Sequence, residues 1–334
     1  MQTAKPRLNK VNQGHPRPPQ LYFHCTDRSA IKTSNLPDRI KVALHNVSFA
    51  HPFLISLRYQ RTFNAGWATS MGIIYKNPSL VEVICELHWE LTPVAIPPNM
   101  GVDPFLDVIR ADLTPRLNAA GFVNSQELAH PQVPRQFLAW QPIVRFAPAP
   151  DTWPKIQLGP GIFTVNMAGP NYTGWPDFQP AVDSAVGALI ESFPTPEKFL
   201  RLKSLQLKYL NAFTNKHDYQ TYAQFASTYL GLKSVLPSAF IERIGVTAAE
   251  ISTNSQTKLP ISTPSDSYIT VQVSEGLVNQ TPGCVLQLAV EKTSKTEPKQ
   301  IMPWFREANI AAREAFQSLA TPRLIELMRP EEKR

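Results

Sequence analysis

The sequence predicts an α+β protein in which antiparallel sheets are packed by amphipathic helices. One supporting observation is the run from Val81 to Glu90, in which apolar and mostly polar side chains alternate as in a half-buried antiparallel strand. A second is the helical spacing of the apolar residues Leu106, Ile109, Leu113 and Leu117. Further strands and helices follow in groups rather than in strict alternation, and this arrangement favours antiparallel sheets with helices packed against them.

The predicted helices begin at conventional start signals. Asp103 is predicted to be the N-cap of the first helix, with Pro104 at its first position, where a missing N–H costs nothing. We expect this helix to kink at Pro115 and to end by Gly121. Later helices are predicted from Pro176, across residues 219–231, from Pro303, and again from Thr321-Pro322.

The remaining apolar runs predict strands. They cover residues 137–146, 155–167, 199–213, 245–252, 267–274 and 283–292. The second of these is interrupted by Gly159-Pro160-Gly161, which predicts a hairpin turn. Because a strand, a helix and further strands occur twice, the sequence divides into a first α+β half at 71–213 and a second at 214–334. Two similar layers or one large continuous sheet would both fit this repetition.

The positive charge of the chain is confined to its first 70 residues. The net charge is +7, and residues 1–70 hold ten basic residues against Asp27 and Asp38. The remaining residues, with 23 basic and 24 acidic side chains, are nearly neutral. Residues 1–70 are interpreted as a basic N-terminal extension that is poorly structured or precedes the true start at Met71. A nucleic-acid-binding arm and an additional folded element remain alternatives.

Composition favours an intracellular, non-membrane protein. The three cysteines, Cys25, Cys85 and Cys284, share no short spacing, which fits a reducing compartment and argues against a disulfide framework or a cysteine zinc site. The apolar runs are shorter than a membrane span, and no apolar segment of a secretory signal follows the basic residues at the start. We therefore expect a cytoplasmic location and no membrane partner.

Four segments resemble a known family. They are IYKNPSLVEVICELHWE from Ile74, KIQLGPGIFTVNMAG from Lys155, LKSLQLKYLNAF from Leu202 and AREAFQSLATPRLIELM from Ala312. In this order they resemble a sporadically distributed bacterial family of uncharacterised proteins, and the resemblance covers roughly residues 71–329. It implies a start near Met71 and horizontally transferred genes, such as those of mobile-element or phage-defence loci. The chain departs from the family pattern at Ser79, where proline is usual, and at Lys208, where arginine is usual.

Six residues are candidates for ligand binding. Glu82, Glu86 and His88 form the densest group of ionisable side chains, because residues two apart on a strand share a face. Lys208, Tyr209 and Asn211 lie at a strand end that the family resemblance marks as a signature. Simpler explanations are an ordinary solvent-exposed face for the first three and a strand end satisfied by its own turn for the others. No catalytic, metal or cofactor motif is present, since the His88-x-Glu90 pair lacks the cysteines of a deaminase.

The sequence therefore predicts a non-enzymatic binding or interaction module. It would act through an unknown protein partner or through self-association, without a cofactor. One alternative is a nucleic-acid-binding protein or nuclease component of a phage-defence system. Another is a small-ligand sensor, which would need a closed apolar pocket beneath its long helices.

Overall fold

The computed structural model describes residues 73–93, 101–130, 132–233, 236–247, 250–278 and 280–332. The predictions made for residues 1–70, including the basic extension and its alternatives, lie outside these residues. Within them, the strands are β1 Ile73–Tyr75, β2 Leu80–Trp89, β3 Thr92–Pro93, β4 Gly101–Val102, β5 Asn124–Glu127, β6 Val144–Ala147, β7 Lys155–Gly159, β8 Ile162–Ala168, β9 Leu202–Phe213, β10 Ser255–Ile261, β11 Ser267–Val278, β12 Thr281–Lys292 and β13 Pro330–Glu332. The helices are α1 Leu106–Ala119, α2 Trp175–Ser192, α3 Pro196–Phe199, α4 Tyr222–Leu230, α5 Ser238–Ile244, α6 Ile301–Leu319 and α7 Pro322–Met328.

Nine of the strands form one continuous sheet, and every pairing in it is antiparallel. Their order is β10-β11-β12-β9-β2-β8-β7-β6-β5. The two central strands, β2 and β9, pair directly with each other, with Cys85 opposite Leu207 and Glu86 opposite Gln206. Two small ribbons, β1 with β13 and β3 with β4, lie outside this sheet. The predicted α+β class with antiparallel sheet and amphipathic helices is confirmed.

The order of elements repeats on the two sides of the sheet centre. On one side, β2 is followed by α1, the meander β5 to β8, and α2; on the other, β9 is followed by α4 and α5, the meander β10 to β12, and α6. In both cases the last strand of the meander, β8 or β12, returns to pair with the strand that began the unit. The chain therefore forms two topologically similar units that share one sheet, and the second unit begins with β9.

The two apolar clusters of the core lie on one face of this sheet. Val83, Cys85 and Leu87 of β2 belong to a large apolar cluster together with residues of α1, α2 and α6. A second cluster contains Phe213 of β9 and residues of α4 and α7. Because side chains alternate along a strand, Phe213 lies on the same face of β9 as Leu207, which is opposite Cys85. Both clusters therefore cover the same face, which we call the helix-covered face.

Several predicted elements match the structure closely. The turn at Gly159-Pro160-Gly161 joins β7 to β8 as a hairpin. It depends on glycine, because Gly161 has φ of +73° and a Cβ on Gly159 would lie 1.9 Å from the backbone oxygen of Gln141. Thr321 is the N-cap of α7, with its side chain accepting a hydrogen bond from the N–H of Leu324.

Three details of the sequence prediction are wrong. Residues 137–146 do not form one strand, because Arg135–Leu138 is a 3-10 helix and β6 begins only at Val144. The described residues of the predicted strand 245–252 do not form a strand, since Gly245 ends α5 in a left-handed conformation and the strand of this region is β10. The first helix begins at Leu106 rather than at Pro104, and it continues through Pro115 without a break.

Candidate functional site

The opposite face of the nine-stranded sheet is mainly polar, and we call it the polar sheet face. A minority of its residues are apolar, among them Ile84, Ile162, Leu210, Ala212, Val285 and Ala289. None of its residues belongs to either apolar cluster. It consists of the side chains that alternate with the core residues along each strand. Its principal members are Arg145, Lys155, Gln157, Thr164, Asn166, Glu82, Glu86, His88, Gln206, Lys208, Gln287, Glu291, Thr270, Gln272 and Lys258.

Glu86 is the centre of a charged cluster on this face. Nζ of Lys208, on the neighbouring strand β9, donates to Oε2 of Glu86 at 2.9 Å. Nε2 of His88 lies 2.5 Å from Oε1 of the same carboxylate. Burial raises the pKa of Glu86, but the hydrogen bond with His88 and the charge of Lys208 outweigh this effect and lower the pKa to about 2. The carboxylate is therefore ionised and fully engaged although only 8% of the residue is exposed.

Glu82 belongs to a separate set of hydrogen bonds on the same face. Its Oε1 accepts from Nδ2 of Asn166 at 2.8 Å, and Oδ1 of Asn166 accepts from Thr164 at 2.6 Å. Burial raises the pKa of Glu82, and the bond from Asn166 together with the charges of Arg145 and Lys155 offsets this only in part. Glu82 thus takes up a proton more readily than an exposed glutamate does.

A third carboxylate, Glu291 of β12, is also engaged. Its Oε2 accepts from Nζ of Lys258 at 3.1 Å, and its Oε1 accepts from the amide of Gln206 at 3.4 Å. The three carboxylates of the face therefore each have a partner on an adjacent strand. Such cross-strand bonds fix where donors and acceptors lie before any partner arrives.

Tyr209 and Asn211, the remaining two candidates, lie on the helix-covered face. The hydroxyl of Tyr209 lies 3.1 Å from that of Tyr172 and donates to Oδ1 of Asn309 at 2.8 Å. Oδ1 of Asn211 accepts from the hydroxyl of Ser79 at 3.1 Å. Four candidates, Glu82, Glu86, His88 and Lys208, thus share the polar sheet face, and the other two connect the sheet to α6 and to the segment before β2.

Sequence reasoning missed the cationic and amide side chains that complete the face. Arg145, Lys155 and Lys258 lie on it, as do Gln157 and Gln206. The alternation of Lys155 and Gln157 with apolar residues was a usable signal for β7. In β6, Arg145 lies between the predicted apolar residues Val144 and Phe146, which was also a usable signal, whereas the edge strand β10 shows no clear alternation.

The site offers hydrogen-bond donors, hydrogen-bond acceptors and charged groups. Among the described residues, no group of three or more His, Cys, Asp and Glu side chains is placed to hold a metal ion. The thiols of Cys85 and Cys284 are buried on the helix-covered face, and burial raises the pKa of both. Two grooves are open to solvent: one is lined by Pro260, Tyr268 and Ser294, and the other by Trp89, Phe105 and Phe199.

Comparisons of the chain with known proteins found no match. No protein-family model matches the chain. No curated protein and no solved structure matches it either. The resemblance to a sporadically distributed bacterial family therefore stays a prediction. Within the described part of the chain, no helix combines the length and the apolar character that crossing a membrane requires.

Proposed function

We propose that the protein is a non-enzymatic binding module whose contact surface is the polar sheet face. The observation that carries the proposal is the network on this face, in which Glu82, Glu86 and Glu291 are each held by a partner from an adjacent strand, namely Asn166, Lys208 and Gln206. Side chains fixed in this way lose little conformational freedom when a partner binds, so the face is preorganised for recognition.

The dimensions of the face support this proposal. Nine strands spaced by about 4.8 Å extend over roughly 38 Å, and seven residues along a strand cover roughly 23 Å. The resulting area is on the order of 900 Å². Each partner in a protein interface of standard size contributes about 800 Å². The outline of the face is therefore about as large as one side of a protein interface of standard size.

The charges of the face support recognition of a polar partner. Cations and carboxylates are interspersed on it, together with the amides of Gln157, Gln206 and Gln287. Mixed charges and amides define a partner through matched donors and acceptors rather than through apolar burial. The small-ligand alternative has less support, because both described grooves are open to solvent and neither is an apolar cavity beneath the long helices.

The experiment that tests the proposal compares two variants of the full chain. Gln206→Arg places a bulky charge in the middle of the polar sheet face. Gln317→Arg makes the same change at an exposed position of α6, away from this face. Partners captured by cross-linking and identified by mass spectrometry should be lost from Gln206→Arg and kept by Gln317→Arg. Equal retention by both variants would contradict the proposed surface.

A second measurement addresses the non-enzymatic part of the proposal. The protein is incubated with nucleotides and nucleic acids in the presence of Mg²⁺ or Mn²⁺, and we expect no hydrolysis. Metal-dependent hydrolysis that disappears in Glu86→Ala would show that the central cluster is catalytic and would overturn the proposal.

A further inference from the structure

Two cations of the polar sheet face differ from the others, because no carboxylate is paired with them. Arg145 lies on β6 and Lys155 on β7, and both belong to the same face, since Arg145 is opposite Gln157. Among the described residues, neither forms an ion pair within 4.0 Å, whereas Lys208 and Lys258 each contact a glutamate. This end of the face therefore carries two cations without a direct ion pair, and the nearby carboxylates of Glu82 and Asp151 act on Lys155 only through longer-range electrostatics.

Both cations are held in position by uncharged neighbours. The guanidinium of Arg145 donates to Oε1 of Gln126 at 3.4 Å. With the Gln157 amide turned so that its oxygen faces the guanidinium, this oxygen accepts from Nε and Nη2 of Arg145 at 3.2 Å. Nζ of Lys155 lies 4.5 Å from the centre of the Trp153 ring. The two side chains are oriented without losing their positive charge.

Placing these two cations side by side is electrostatically unfavourable. They occupy diagonal positions on adjacent strands, which is within reach of long side chains. Burial and the charge of Arg145 lower the pKa of Lys155, and Asp151 and Glu82 offset this only in part. A bound anion would remove the repulsion and would use donors that remain free on both side chains.

We propose that Arg145 and Lys155 form a binding site for a phosphate group of a nucleic-acid backbone. A guanidinium and an ammonium together supply two positive charges and a set of donors that suits phosphate oxygens. The site is part of a broad face and has no walls, so it fits a polymer that passes across the sheet better than a small enclosed ion.

The other lysines of the face extend from this site in one line. Lys155, Lys208 and Lys258 belong to a single cross-strand row, which runs through Asn166 and Ile84 on one side and Ala289 and Thr270 on the other. Successive lysines in the row are three strands apart, or about 14 Å. A polyanion lying along the row would therefore meet an ammonium group at regular intervals, of which those of Lys208 and Lys258 are already paired with Glu86 and Glu291, and amide side chains beside it for contact with base edges.

The charge of Glu82 sets how strongly this site attracts a phosphate group. Its carboxylate interacts electrostatically with both Arg145 and Lys155, so it reduces the positive potential that a phosphate group meets. Neutralising Glu82 should strengthen phosphate binding. A merely structural role of the two cations would not predict this effect.

The test is fluorescence anisotropy of a labelled 16-nucleotide single-stranded DNA with the full chain and its variants. Lys155→Gln and Arg145→Gln should each weaken binding about tenfold, the size expected for one lost charge-assisted hydrogen bond, and should lower the salt dependence. The matched controls Lys299→Gln and Arg306→Gln lie outside the face and should change binding less than about twofold. Glu82→Gln should tighten binding, and its control Glu297→Gln should not. Any contribution from the basic residues 1–70 is common to all variants.

The inference rests on the proposed binding function, and its failure can be told apart from failure of that function. Unchanged affinity in both Lys155→Gln and Arg145→Gln would overturn the phosphate site alone. Competition by polyglutamate as strong as that of unlabelled DNA would assign the site to an acidic protein instead. Saturation by inorganic phosphate with no gain from the oligonucleotide would assign it to a small anion. Cleavage of the oligonucleotide on a denaturing gel would contradict the non-enzymatic function itself.

Discussion

Lys208 and Glu86 form an ion pair of 2.9 Å between the two central strands of the sheet, at the point where its two repeated units meet. The pair is largely shielded from solvent, since 23% of the Lys208 side chain and 11% of the Glu86 side chain are exposed. It connects two segments that are more than a hundred residues apart in the chain. The polar sheet face thus contributes to the stability of the fold as well as to the proposed recognition.

The first prediction concerns the pH dependence of stability. The pKa of Glu86 is about 2 in the folded chain against 4.5 for an unperturbed glutamate, so its ionised form stabilises the fold above about pH 4.5. This contribution, on the order of 3 kcal/mol, should be lost as the pH falls from 4.5 towards 2. Urea unfolding of wild type and Glu86→Gln at several pH values measures it. If the difference between the two proteins does not narrow at low pH, the account of Glu86 is wrong.

The second prediction concerns Asp103, which joins three segments. Its Oδ2 accepts from Nε1 of Trp89 at 2.8 Å and from the N–H of Gly161 at 3.2 Å, and its Oδ1 accepts from the N–H of Phe105. Asp103→Ala should lower the free energy of unfolding by about 2 kcal/mol, because it leaves the indole N–H of Trp89 without its acceptor.

Asp107→Ala provides the matched control for Asp103→Ala. Asp107 pairs with Arg135 at 2.6 Å, but 72% of its side chain is exposed. Loss of such a surface ion pair should change stability by less than about 1 kcal/mol. Equal effects of the two substitutions in chemical denaturation would contradict the role assigned to Asp103.

The third prediction compares two glycine-to-alanine substitutions. A Cβ on Gly169 would lie 1.7 Å from the backbone oxygen of Leu80, at the end of β8, whereas a Cβ on Gly187 in α2 meets nothing within 4 Å. Gly169→Ala should therefore destabilise the fold by about 2 kcal/mol or more. Gly187→Ala should stabilise it by roughly 0.5–1 kcal/mol through helix propensity. Thermal unfolding should place the two variants on opposite sides of the wild type.

The fourth prediction concerns the start of α7. The hydroxyl of Thr321 accepts from the N–H of Leu324 and donates to the carbonyl of Thr228 in α4 at 3.1 Å. Thr321→Ala should lower the free energy of unfolding by about 1 kcal/mol, since an N-cap is lost. Thr321→Ser keeps the oxygen and should restore most of the stability. Equal stability of the alanine and serine variants in urea would show that the cap contributes nothing.

Elements with a regular pattern could be predicted from the sequence, and the elements set by distant contacts could not. The alternation along β2 and the glycines between β7 and β8 are local signals, and both were interpreted correctly. Trp140, in contrast, has φ of +55°, and its backbone N–H and indole N–H bond to Pro160 and Trp89. These contacts remove residues 139–143 from the predicted strand, and no local pattern reveals them.

The edge strand β10 illustrates a second limit. Six of its seven residues are exposed, and it contains Lys258 and Pro260, so it shows no alternation to detect. Lysine and proline are nevertheless typical of an open edge strand, because they discourage pairing with another chain. The strand was missed because prediction relied on apolar periodicity.

The sequence predicted which residues of β2 share the candidate site, but it did not predict their partners on the neighbouring strands. Spacing alone placed Glu82, Glu86 and His88 on one face of β2, but the partner of each depends on strand register. Lys208 reaches Glu86, and Asn166 reaches Glu82, only because β9 and β8 pair with β2 in one particular alignment. Register arises from packing of the whole helix-covered face, so the cross-strand partners could not be derived from β2 itself.

The most direct test of the central claim is lysine footprinting of the purified protein with and without its bound partner. Acetylation rates measured by mass spectrometry report the accessibility of each ammonium group. Partner binding should slow acetylation of Lys155, Lys208 and Lys258 on the polar sheet face and leave Lys299, whose side chain is 81% exposed, unchanged. Protection of Lys299 while the three lysines of the face react at their free rates would contradict the claim that this face is the contact surface.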